Sequence, residues 1–172
     1  MSSGSRFKEE FERAVAQKFL ELKNQSQPES FQILRNGKPL QNEPDIICSD
    51  GYSIEIVTSY DNQSQAKRYW EQMKGIRNPL QVHERCLHSL EELTRAIGTK
   101  LSKLENGLYS GTDESKIILL CYCISPLFGR TVEEIKHQYM PFKPDNHFDK
   151  YFFETWIIWW EGGDTYQIRK LE

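Results

Sequence analysis

The chain reads as a single α/β domain in which helices flank a central mixed β-sheet. An amphipathic helical stripe opens it, strand-like runs stand on both sides of a long helical stretch, and one continuous apolar run is bounded by turn signals. At 172 residues, 38% hydrophobic and 27% charged, it is long enough to bury a core of its own. No repeat, linker or low-complexity segment divides it, so residues 6–172 are taken as one domain and residues 1–5, MSSGS, as a small polar tail outside the fold.

Over residues 6–23 the apolar positions Phe7, Phe11, Ala14, Val15, Phe19 and Leu22 recur at three and four, which is one face of a helix. Residues 31–34 alternate as a short strand, and Asn36-Gly37 with Pro39 marks a turn. Strands over 45–48 and 52–60 meet at Ser49-Asp50-Gly51. Two helical stretches follow, 63–76, stopped by Asn78-Pro79, and 82–106, where Leu87, Leu90, Leu93, Ile97, Leu101 and Leu104 mark the buried face and Asn106-Gly107 supplies the cap. The apolar run 117–124 predicts a strand covered on both faces, central to the sheet. Thr131 with Glu134 predicts a capped helix to about residue 140. Residues 152–160 and 165–171 flank Glu161-Gly162-Gly163-Asp164 as a terminal hairpin.

Charge and composition narrow the function. A net charge of −3 and a pI near 5.9 lack the basic signature of a protein that coats nucleic acid. No run of about 18 apolar residues or signal-peptide pattern is present, so no membrane partner is expected and the cytoplasm is the expected compartment. Cys48, Cys86, Cys121 and Cys123 form no CxxC pair, which argues against a disulfide framework. The histidines His83, His88, His137 and His147 make no HExxH or Cys/His zinc pattern, and GxSxG, GxxxxGK[ST] and GxGxxG are all missing.

The chemistry resides in the stretch NEPDIICSDGYSIEIVTSY, residues 42–60, where Asp45 and Glu55 interrupt neighbouring apolar runs. A buried carboxylate is costly unless something pairs with it. The loop between the two strands decides whether the pair can share a site. A two-residue loop at Asp50-Gly51 puts the carboxylates on opposite faces, whereas a three-residue loop, Ser49-Asp50-Gly51, sets Asp45 directly opposite Glu55. Like charges in that position, about 5 Å apart, persist if one is protonated or if cations neutralise them. Hard oxygen donors suit magnesium or manganese better than zinc. The plainer alternative is a strand-start aspartate and a solvent-facing glutamate.

Phe11-Glu12 with Ala14-Val15 on a helix, then Pro44-Asp45, then Ile54-Glu55-Ile56 on the next strand, resembles the PD-(D/E)XK nuclease superfamily, the restriction-endonuclease-like fold. The order of elements is similar over residues 6–124. The resemblance implies a metal-dependent nuclease that cuts phosphodiester bonds of DNA or RNA, with Mg2+ or Mn2+ on Asp45 and Glu55 and Glu12 completing the site. The family's catalytic lysine, two residues after the glutamate, is replaced here by Val57, giving the variant Glu55-Ile56-Val57-Thr58. Lys67, Lys74, Lys100 and Lys103 are the candidates to replace it, and Lys100 is assigned the role because residues 96–104, AIGTKLSKL, resemble an Ile-x-x-Lys-x-x-Lys pattern. The rival reading is a catalytically inactive domain of that fold that binds protein or nucleic acid. Trp156, Trp159, Trp160 and Tyr166 make the terminal hairpin aromatic, which predicts burial against helices or a homodimer contact.

Overall fold

The structure is a computed structural model that describes residues 3–26, 30–58, 90–123, 150–162 and 164–171. The helices expected over 63–76 and 131–140, Lys67, Lys74, all four histidines and the turn residues after position 123 lie outside the described residues.

The described chain is an α/β domain built on one six-stranded mixed sheet and two helices. α1 is Ser3–Ser26 and α2 is Leu90–Glu105. The strands are β1 Ile33–Asn36, β2 Ile46–Cys48, β3 Ser53–Thr58, β4 Ile117–Cys123, β5 Glu154–Gly162 and β6 Thr165–Lys170, and they lie in chain order across the sheet. β1, β2 and β3 are antiparallel neighbours, β3, β4 and β5 run parallel, and β6 returns antiparallel on β5 as the expected hairpin. None of the described helices is long and apolar enough to cross a membrane.

Period-2 alternation divides the core into two layers. Ile54, Ile56, Ile118, Leu120, Tyr122, Trp156 and Ile158 pack under α1 with Phe11, Val15 and Phe19. Val57, Leu119, Cys121, Ile157 and Trp159 pack under α2 with Leu93, Ile97, Leu101 and Leu104. Phe11 meets Tyr122 edge-on at 5.3 Å and Phe19 meets Trp156 at 5.6 Å, geometries that aromatic quadrupoles favour. β4, covered on both faces, is the central strand that its uninterrupted apolar run predicts. α2 ends at the expected Asn106-Gly107 in a Schellman cap, Gly107 N–H donating to Leu104 O at 3.0 Å and Leu108 N–H to Lys103 O at 3.0 Å.

Several boundaries differ from the sequence reading, among them β5, which runs Glu154–Gly162 rather than 152–160. α1 begins at Ser3, inside the stretch read as a tail. β1 is displaced to Ile33–Asn36 because Asn36 is tied to α1, its Nδ2 donating to Glu9 O at 3.0 Å and its Oδ1 accepting from Arg13 at 3.1 Å. β2 starts at Ile46, which leaves Asp45 just outside the ladder. Trp156 and Trp159 are buried in the domain's own core, one under each helix. Cys48 and Cys121 are free, buried thiols.

A buried ion pair ties α1 to β5. Lys23 Nζ donates to Glu154 Oε2 at 2.9 Å, Trp156 Nε1 donates to the same oxygen at 2.8 Å, and Lys170 Nζ donates to Glu154 Oε1 at 3.0 Å.

Candidate active site

The hairpin register is the one a three-residue loop dictates. Ile46 pairs with Ile54 and Ile47 with Ser53, so the next residue outward, Asp45, lies in line with Glu55. Ser49-Asp50-Gly51 closes as a tight turn with Tyr52 N–H on Ser49 O at 3.1 Å, and both Asp50 and Gly51 take positive φ, 57° and 78°. Aspartate tolerates the left-handed region and glycine enters it without a steric penalty, so this dipeptide can make the turn. Lys116, in the turn that leads into β4, pins the loop by donating to Asp50 O at 3.0 Å.

β2 pairs with only the first part of β3, and the sheet opens from Glu55 onward. Asp45 fills part of the gap: its Oδ2 accepts the Ile56 N–H at 2.8 Å, replacing the ladder bond that β2 no longer supplies. The other side of Asp45 is held by Gly37, whose N–H donates to the Asp45 carbonyl at 2.8 Å. Any side chain on Gly37 would collide with the Pro44 carbonyl, so this approach of two backbones requires glycine.

Glu55 points to the α2 face, between Ser53 and Val57, and is 1% exposed. α2 brings two lysines to it one turn apart: Lys100 Nζ forms a short ion pair with Glu55 Oε1, and Lys103 Nζ lies 3.5 Å from the same oxygen. Glu55 Oε2 is buried and has no hydrogen-bond partner among the described residues. From α1, Glu12 reaches the cluster paired with Lys8 at 3.1 Å.

The field in this corner is carboxylate-rich. Burial, and then the Glu55 charge, hold the Asp45 pKa above the usual carboxylate range, with Lys100 and Lys8 opposing. Burial and the Asp45 charge push Glu12 up to about 7, against Lys8. The lysines feel the converse. Burial alone would lower the pKa of Lys100, but Glu55 and Asp45 hold it above its ordinary value, and Lys8 is raised in the same way by Glu12 and Asp45.

The structure thus brings together Asp45, Glu55, Lys100 and Glu12 with Lys103, another of the lysines the sequence offered, and adds Lys8 and Tyr109. Lys8 was legible as the i−4 partner of Glu12 on one helix face. Tyr109 carried no sequence signal. Its position is set by the cap of α2, which turns the chain back toward Glu55.

Val57, where the family pattern has lysine, is 2% exposed beneath the apolar face of α2. A lysine there would have to bury its ammonium among Leu93, Ile97 and Leu101, and α2 instead delivers Lys100 to the carboxylate through space.

The donors are of the kind that could hold a hard divalent cation: two facing carboxylates, one with an unpartnered buried oxygen, and a third acid whose ionisation Asp45 opposes. Among the described residues no three His, Cys, Asp or Glu side chains converge closely enough to form a ready ligand set; Asp45 and Glu55 are the carboxylates that could hold an ion, with Glu12 beside them. No family model, curated protein or solved structure matches the chain.

Proposed function

We propose that this protein is a metal-dependent phosphodiesterase of the restriction-endonuclease-like type, acting on nucleic acid. The observation that carries the reading is the meeting of Lys100 with Glu55 directly beside Asp45: an acidic pair and a lysine come together although the strand itself has valine at the lysine position. Asp45 and Glu55 would hold Mg2+ or Mn2+, which supplies a lowered water pKa and charge neutralisation at the phosphate.

The chain's own groups have distinct tasks. The Ile56 N–H fixes the Asp45 carboxylate in one orientation. Lys103 shares Glu55 Oε1 with Lys100, so Lys100 can turn toward an incoming phosphate without leaving the carboxylate unpaired. Lys100 would then face the negative charge that grows on the phosphoryl oxygens, where a preorganised cation in a partly desolvated site acts most strongly. Glu12, whose pKa burial and the Asp45 charge raise to about 7, is the group beside the pair that could take a proton from the attacking water.

One observation favours a second reading. Two ammonium groups already neutralise Glu55, so the cluster could be a self-sufficient ion network in a binding domain that does no chemistry. Calorimetric titration of Mg2+ and Mn2+ into wild type and Asp45→Asn, with cleavage assays on DNA and RNA and Lys100→Gln alongside, separates the two. The hydrolase reading expects metal binding lost in Asp45→Asn and cleavage down about 10²–10³-fold in Lys100→Gln with metal binding kept. A wild type that neither binds metal nor cleaves would leave the binding domain.

A further inference from the structure

Tyr109 follows the cap of α2 and is buried, at 6% exposure. Its ring meets Phe152 edge-on at 6.2 Å, and the same ring carries the Lys103 ammonium 4.0 Å from its centroid. Lys103 is the second lysine on Glu55 Oε1, at 3.5 Å. Packing alone would be served by phenylalanine, which fills this volume without desolvating a hydroxyl. The Tyr109 hydroxyl is buried without a hydrogen-bond partner among the described residues, and so is Glu55 Oε2. A phenol titrates at about 10, so at neutral pH the hydroxyl keeps its proton and is a donor.

We propose that Tyr109 is a positioning residue of the acidic site: its ring holds Lys103 against one oxygen of Glu55, and its hydroxyl serves the other oxygen when a cation is bound. The inference rests on the hydrolase reading and deepens it. A free lysine side chain would have to give up rotamer freedom to stay beside Glu55, and a face-on aromatic ring offsets that loss. A carboxylate oxygen has two lone-pair directions, so a hydroxyl on one leaves the other to a metal. Outer partners of this kind orient a ligating carboxylate, and their removal costs metal affinity more than fold stability.

The test uses Tyr109→Phe, which keeps the ring and removes the hydroxyl, and Lys103→Met, which removes the ammonium. Mn2+ affinity by calorimetry, the thermal midpoint, and kcat and KM for nucleic-acid cleavage are measured on each variant and on wild type. The expected result is Mn2+ binding about tenfold weaker in both variants, with Tyr109→Phe melting no lower than wild type. Undiminished Mn2+ affinity in Tyr109→Phe overturns the positioning role while the hydrolase reading stands on wild-type binding and cleavage. Affinity that falls only in step with thermal stability assigns Tyr109 to packing and overturns it as well. A wild type that binds no Mn2+ removes the hydrolase reading and this inference together.

Discussion

Glu154, at the start of β5, and Glu55, two strands away in β3, are both buried carboxylates, at 8% and 1% exposure, yet their oxygens are provided for differently. Glu154 faces α1 and has every need met: Lys23 and Trp156 on one oxygen and Lys170 on the other. Burial alone would raise its pKa, and these donors overcome that and hold it below the ordinary value. Glu55 faces α2 with two lysines crowded on one oxygen and none on the other, and the acids beside it, Asp45 and Glu12, are raised rather than lowered. A carboxylate kept for structure is completed from within the chain. A group left incomplete in a buried corner costs stability, which is the usual mark of a site that waits for a ligand.

The contrast can be broken first at the structural pair. Lys23→Met leaves Glu154 buried with only its outer partner Lys170 and the Trp156 N–H, and should cost about 3–5 kcal/mol in denaturant unfolding, because a buried carboxylate then loses its buried counter-ion. A loss well below that range would mean that Lys170 and Trp156 suffice for Glu154.

The pH dependence sharpens the comparison, since the two clusters act with opposite sign. The lowered pKa of Glu154 contributes stability that is present above the unfolded value, 4.5, and is lost as pH falls through the folded value. The raised pKa of Glu12 works the other way: below 4.5 both states are protonated and there is no penalty, and between 4.5 and about 7 the folded state increasingly resists ionisation. The protein should therefore be most stable near the acid end of that window and lose stability as pH rises toward 7. Glu12→Gln should flatten the decline toward pH 7, an effect of up to about 3 kcal/mol by thermal melts across pH. An unchanged slope in Glu12→Gln would remove Glu12 from the electrostatic cluster.

The smallest effect is expected at Asp45. Asparagine can still accept the Ile56 N–H but carries no charge beside Glu55, so Asp45→Asn should melt slightly higher, by about 1 kcal/mol equivalent, while losing metal binding. A destabilised variant would show that the Asp45 charge is already compensated in the folded protein.

Much of the fold was legible because local rules agree with the global answer. The stripe Phe11, Val15, Phe19 gave α1, the unbroken run from Ile117 gave the central strand, and Asn106-Gly107 gave the helix cap. Boundaries slipped where a side chain reached across the fold, as Asn36 does to Glu9 and Arg13 in extending β1. At the site, Asp45, Glu55, Glu12 and Lys100 could be singled out from pattern and resemblance. Lys103 as a second partner of Glu55, the role of the Ile56 N–H and the whole of Tyr109 could not, because each depends on elements far apart in the chain.

The sequence by itself determined the acidic pair and the two faces open to it: side chains alternate with period 2, so a two-residue loop would part Asp45 from Glu55 and the three-residue Ser49-Asp50-Gly51 loop, which the structure adopts, sets them on one face. Only the tertiary structure decided what faces that pair. A lysine carried on a helix 45 residues away meets Glu55 because α2 crosses the sheet at that height, and no periodicity encodes where one packed element crosses another. For the same reason the sequence could record that Val57 is not a lysine, while only the packed core explains why a charge there would have been buried.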